Sequence, residues 1–168
     1  MTKLILALAL GCASLVSAQF VSPEADTSVT IAGKKISIHY CAPQMHNRKI
    51  FGGLVPYGEA WRAGANEATA LHTDADLMIK TLRVPKGNYT IFVWVDQKQW
   101  QLIINKQTGQ WGLEYHQEQD LGRVPMDMSK PPAPIDVYKM TLSGAGGNNG
   151  KLQLEWENTI ASVPIVVK

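Results

Sequence analysis

Apolar residues recur at every second position in one short segment after another of this 168-residue chain. Ile36, Ile38 and Tyr40 alternate with Ser37, His39 and Cys41. The pattern returns at Val124, Met126 and Met128, at Tyr138, Met140 and Leu142, at Leu152, Leu154 and Trp156, and at Val163, Ile165 and Val167. Trp100, Leu102 and Ile104 share it. Successive side chains of a strand point to opposite faces, so each segment buries one face and wets the other. Turn residues punctuate the series. Ala32-Gly33-Lys34-Lys35 follows a short strand at 29–31, and Pro85-Lys86-Gly87-Asn88 closes a strand over 77–84. Gly-rich residues 144–150 form a further turn, and Pro131 to Pro134 a loop. Residues 89–95 are apolar on both faces, which predicts a central strand in a packed sheet. Helical periodicity is nearly absent, and the one candidate helix is a turn or two near 58–63. The pattern predicts an all-β fold, an antiparallel β-sandwich of jelly-roll-like or Greek-key type with at most one or two short helical turns.

The first residues carry a different signal. Lys3 precedes an apolar run from Leu4 to Val16, and Val16-Ser17-Ala18 places small residues before Gln19. This predicts a signal peptide over 1–18, a single sandwich domain over 19–168, and export to the periplasm or beyond. The apolar run is too short for a transmembrane helix. Cys12 would suit a lipoprotein signal, but Leu10 in Ala9-Leu10-Gly11 sits one place too close to it. After cleavage Cys41 is the one remaining cysteine, so no intrachain disulfide forms and the core alone must stabilise the fold. A net charge of +2, with basic residues scattered, argues against a nucleic-acid partner.

Two groups of residues invite a functional reading. The first lies in Tyr57-Gly58-Glu59-Ala60-Trp61-Arg62-Ala63-Gly64-Ala65-Asn66-Glu67. Arg62 offers a planar fork of donors for carboxylate or phosphate. Trp61 would supply a stacking face, and Asn66 and Glu67 would complete a pocket for a small polar ligand such as a sugar. In the competing structural reading Trp61 plugs the end of the sandwich and Arg62 pairs with Glu67. Gly64 and Asn66 then take positive φ in a tight turn. The second group is His39, Cys41, Met45 and His46. Imidazole, thiolate and thioether together form a soft ligand set suited to copper, although their spacing matches no standard metal motif.

Catalysis has weaker support. A Cys41–His39 nucleophile pair would be separated by about 6–7 Å on a straight strand, given the rise per residue. Glu114, Glu118 and Asp120 beside Tyr115 and His116 read as a solvated acidic loop. No nucleophile elbow, zinc-protease or phosphate-loop motif occurs. The function so predicted is a non-catalytic module binding a small ligand or an envelope partner. A copper-binding protein is the alternative, and an unrecognised hydrolase a weaker one.

Several segments resemble a known bacterial family. They are Arg48-Lys49-Ile50-Phe51-Gly52, Val55-Pro56-Tyr57-Gly58 and Trp61-Arg62-Ala63-Gly64-Ala65-Asn66-Glu67-Ala68-Thr69. Val84-Pro85-Lys86-Gly87-Asn88-Tyr89, the strand from Trp100 to Lys106 and Gln110-Trp111-Gly112 follow in the same order. Together they resemble domain of unknown function 2911 from about Pro23 onward. The resemblance implies an exported protein and carries over no catalytic or binding residue. In that family the positions of His39 and Cys41 often hold other residues, so copper would be a local rather than a family-wide role.

Overall fold

A computed structural model describes residues 22–168, so the signal-peptide reading of 1–18 lies outside the described residues. Thirteen strands form two antiparallel sheets packed face to face. The first sheet runs β1 (Glu24–Ile31), β2 (Lys34–Cys41), β4 (Thr69–Thr73), β7 (Gly87–Val95), β8 (Gln101–Asn105), β9 (Asp120–Pro125). The short β3 (Glu59–Trp61) also pairs with β7. The second sheet runs β11 (Ile135–Gly144), β12 (Asn149–Glu157), β13 (Thr159–Val167), β5 (Leu77–Ile79), β6 (Leu82–Val84), with β10 (Asp127–Ser129) also on β13. The chain thus leaves the first sheet for β5 and β6, returns at β7, and crosses for good after β9.

The alternation explains the layers. Ile36, Ile38 and Tyr40 of β2 and Leu152, Leu154 and Trp156 of β12, from opposite sheets, belong to one continuous buried core. The core becomes aromatic at the end where β2 and β12 finish. Trp61 stacks on Trp156 with ring centroids 5.8 Å apart, and Tyr138 meets Trp61 edge-on at 5.1 Å. Such offset and edge-on contacts suit the ring quadrupoles.

β7 is central, as its two apolar faces require. Its Ile91 and Val93 join the main core, while Phe92 and Ile103 of β8 are buried on the opposite face. The segment 106–119 covers that face, bringing Tyr115 to 4.8 Å from Phe92. The buried Thr90 hydroxyl donates to the Gln107 carbonyl at 2.7 Å, and Asn105 Nδ2 donates to the His116 carbonyl at 2.9 Å. These bonds repay the desolvation of two buried polar side chains.

The structure corrects three local expectations. Residues 77–84 form the hairpin β5–β6, broken by Lys80 at φ 51°. Residues 58–63 contain β3 rather than a helical turn, because pairing with β7 satisfies their backbone. The helical turn among the described residues is a 3-10 turn at Gln117–Gln119. Of the acidic group, Glu114 and Glu118 are exposed as expected, while the Asp120 side chain keeps only 11% of its exposure.

Candidate functional site

β3 and β4 lie end to end along the same edge of β7. β3 pairs with Val93–Val95 and β4 with Gly87–Ile91, leaving Phe92 opposite the gap. Residues 62–68 bulge out of the sheet through this gap. Ala63 and Asn66 turn the chain at φ 53° and 57°. The left-handed turn therefore falls on Ala63, and Gly64 is needed for a different reason. A Cβ at Gly64 would sit 2.9 Å from the Cys41 carbonyl oxygen, so glycine permits the close approach of β2. Ala65 N–H donates to that same carbonyl at 3.3 Å.

The bulge forms one wall of a cavity of about 580 Å³ at this end of the sandwich. The segment after β2 supplies His46 and Arg48, and the approach to β3 supplies Leu54, Pro56 and Glu59. The covering segment contributes Gly112, Leu113 and Tyr115, and the inner surface is Trp61 and Trp156. Each wall is tied down. Glu157 accepts backbone N–H bonds from Ile50 at 3.0 Å and Phe51 at 3.3 Å, fixing the loop that carries Leu54. Arg48 donates through Nε to the Met45 carbonyl at 3.0 Å and through Nη2 to the Gln44 carbonyl at 2.9 Å. Gln44 Nε2 donates to the Asp136 carboxylate, and Gln44 bridges to Val137 at the edge of β11. Tyr115 donates to Asp120 at 2.8 Å, and Arg123 donates to both. Burial, and then the Asp120 carboxylate, push the Tyr115 phenol far above its ordinary range, so it stays a donor.

Arg62 stands apart from these tethered groups. It lines the cavity, and its Nε is buried with no hydrogen-bond acceptor. No carboxylate of the described residues pairs with it. Burial lowers its pKa from the ordinary arginine value, the nearby Cys41 opposing. Partial desolvation of a cation with no counter-charge beside it carries a cost that an anion in the cavity would offset. Gly112 presses the guanidinium stem into place, since a Cβ there would lie 2.0 Å from Arg62 Cδ and 2.4 Å from the Asn66 carbonyl oxygen.

The remaining predicted residues separate. Trp61 is 6% exposed, with Nε1 donating to the Gly64 carbonyl at 3.0 Å. It plugs the sandwich end and shows the cavity little of its ring. Asn66 lines the cavity, beside the Cys41 thiol whose pKa it lowers against the larger effect of burial. Glu67 is exposed, lies outside the cavity lining, and bridges through its backbone to Trp111. The expected Arg62–Glu67 pair therefore does not form, because the turn at Asn66 sends the two side chains apart.

His39 reaches Asp26 through Nδ1 at 3.0 Å on the outer face of the first sheet. Cys41 is buried beneath the bulge, where desolvation raises its pKa and keeps it a thiol. Met45 packs against the core, and His46 sits at the cavity. Among the described residues His39, Cys41 and His46 do not converge as a three-donor metal group. Sequence reading missed Arg48, Glu59, Leu54 and Leu113. Only the glycine at 112 gave a local signal, within a segment already distinctive for Trp111.

The family match covers residues 22–165, nearly the whole chain, and its description is Protein of unknown function (DUF2911). The chain belongs to DUF2911. No curated protein and no solved structure matches it. The Trp61–Thr69 segment that marks this DUF2911 chain is the very one that leaves the sheet and delivers Arg62 and Asn66 to the cavity. No helix among its described residues is long and apolar enough to cross a membrane.

Proposed function

We propose that this DUF2911 protein is an exported binding module that holds a small polar molecule in the end cavity without transforming it. One observation carries the reading: the Arg62 side chain lines the cavity, and no carboxylate of the described residues forms an ion pair with it. The size of the cavity supports it, since about 580 Å³ lies within the range of small-molecule sites. The tethered walls support it too. Glu157, Asp136 and Asp120 each anchor one wall, so the pocket exists before any ligand arrives.

A thermal-shift panel of neutral saccharides and small organic anions tests this reading. A ligand that binds only the folded state at about 100 times its Kd adds roughly 2.7 kcal/mol of stability, a readily measured rise in Tm. The expected result is a rise with at least one compound, reduced in Arg62→Gln. No response across the whole panel overturns the proposal.

A further inference from the structure

The lining chemistry narrows the ligand class, taking the end cavity as the binding site proposed above. Arg48 and Arg62 are the guanidinium groups of the lining, and Glu59 is its carboxylate. Arg48 already donates from Nε and Nη2 to loop carbonyls, so part of its capacity is committed to structure. Arg62 has no ion-pair partner among the described residues, and its Nε has no acceptor. Setting Glu59 against the two arginines leaves one positive charge unmatched, which one anionic group would neutralise. A planar guanidinium matches a planar carboxylate.

Gln44, His46, Asn66 and Tyr115 add neighbouring polar groups, and the lip of the cavity is apolar. Leu54 is 48% exposed and Leu113 76%, both at the cavity, with Val55 and Pro56 beside them. Exposed leucines at the lip of a concave site mark where an apolar portion of a ligand would lie. A sugar fits less well, because Trp61 spends its ring faces on Trp156 and Tyr138. We infer that the cavity takes an amphipathic organic monocarboxylate, its carboxylate on Arg62 and its hydrocarbon part against Leu54 and Leu113.

The test is isothermal titration calorimetry of the purified protein with octanoate, octan-1-ol, acetate and inorganic phosphate. Octanoate is expected to bind at least about tenfold tighter than each of the others, as loss of a charge-assisted hydrogen bond or of the apolar tail would dictate. Arg62→Gln should lose at least about tenfold in octanoate affinity while keeping its circular dichroism spectrum. Leu113→Asn, at an exposed position where folding is not at stake, should also weaken octanoate and leave acetate unchanged. The carboxylate assignment is overturned if phosphate or a neutral saccharide binds and octanoate does not. Octanoate binding that is indifferent to both substitutions overturns it as well. If saccharides, acids and phosphate all fail to bind, the binding-module reading itself falls with it.

Discussion

Gly112 lies against the side chain of Arg62 so closely that a single added carbon at Gly112 would stand 2.0 Å from Arg62 Cδ. The covering segment therefore meets the bulge after β3 through its bare backbone, with the Gly112 N–H donating to the Asn66 carbonyl at 3.1 Å. This contact aims the guanidinium at the cavity.

Gly112→Ala is expected to push the two segments apart. The Asn66 carbonyl oxygen, 2.4 Å from the new carbon, belongs to the backbone and cannot swing aside. Overpacking of this kind costs about 1–3 kcal/mol. A denaturant melt should show that loss, and ligand affinity should fall with it. A variant as stable as the parent would mean that the segments shift freely.

Trp61 and its neighbour Arg62 should respond in opposite ways. Trp61→Ala removes a buried indole from the aromatic end of the core, at a cost of about 3–5 kcal/mol. Arg62→Met keeps the stem and removes a half-buried charge that has no ion-pair partner among the described residues, so stability should hold or rise. Thermal melts of the two variants check the contrast. A large loss of stability in Arg62→Met would show that the guanidinium is part of the structure and not held in reserve for a ligand.

Glu157→Ala should loosen the loop bearing Leu54. Its carboxylate takes the Ile50 and Phe51 amides at 3.0 and 3.3 Å, and alanine offers them nothing. Leaving two such donors unsatisfied costs about 1–3 kcal/mol each when they are buried. Amide hydrogen exchange at Ile50 and Phe51 should accelerate well beyond that of the β12 amides. Equal protection in both proteins would refute the anchoring role.

His72 gives a pH signature on the outer face of the first sheet. Its Nδ1 lies 2.8 Å from Asn88 Oδ1 and its Nε2 3.0 Å from Asp74 Oδ1. Asn88 first, and then Asp74, raise the His72 pKa above the ordinary 6.5. The contribution to stability is thus complete below pH 6.5 and is lost as pH rises through the higher folded value. Asp74, lowered mainly by His72, contributes above its ordinary 3.8 and loses this as pH falls through its depressed value. Both groups are solvated, so the effect on Tm should be small. An NMR titration should place the His72 midpoint above 6.5 and lower it in Asn88→Ala. The same midpoint in both proteins would remove Asn88 as the cause.

The amino-acid sequence by itself determined most of the strands, their faces and the central place of β7, because period-two burial is a local property written into each segment; β3 and the break between β5 and β6 were not legible in it. It also marked residues 61–69 as more than a connection, through the density of tryptophan, arginine, asparagine and glycine there. It did not determine what each polar side chain meets. Glu157 serves Ile50 across 107 positions, and Gly112 makes room for Arg62 from a different segment. Arg62 and Glu67, near neighbours in the chain, part at the Asn66 turn. Alternation fixes which way a side chain faces. Only the packing of the two sheets and their end loops decides which group, if any, it finds there, and for Arg62 that packing supplies no carboxylate partner among the described residues.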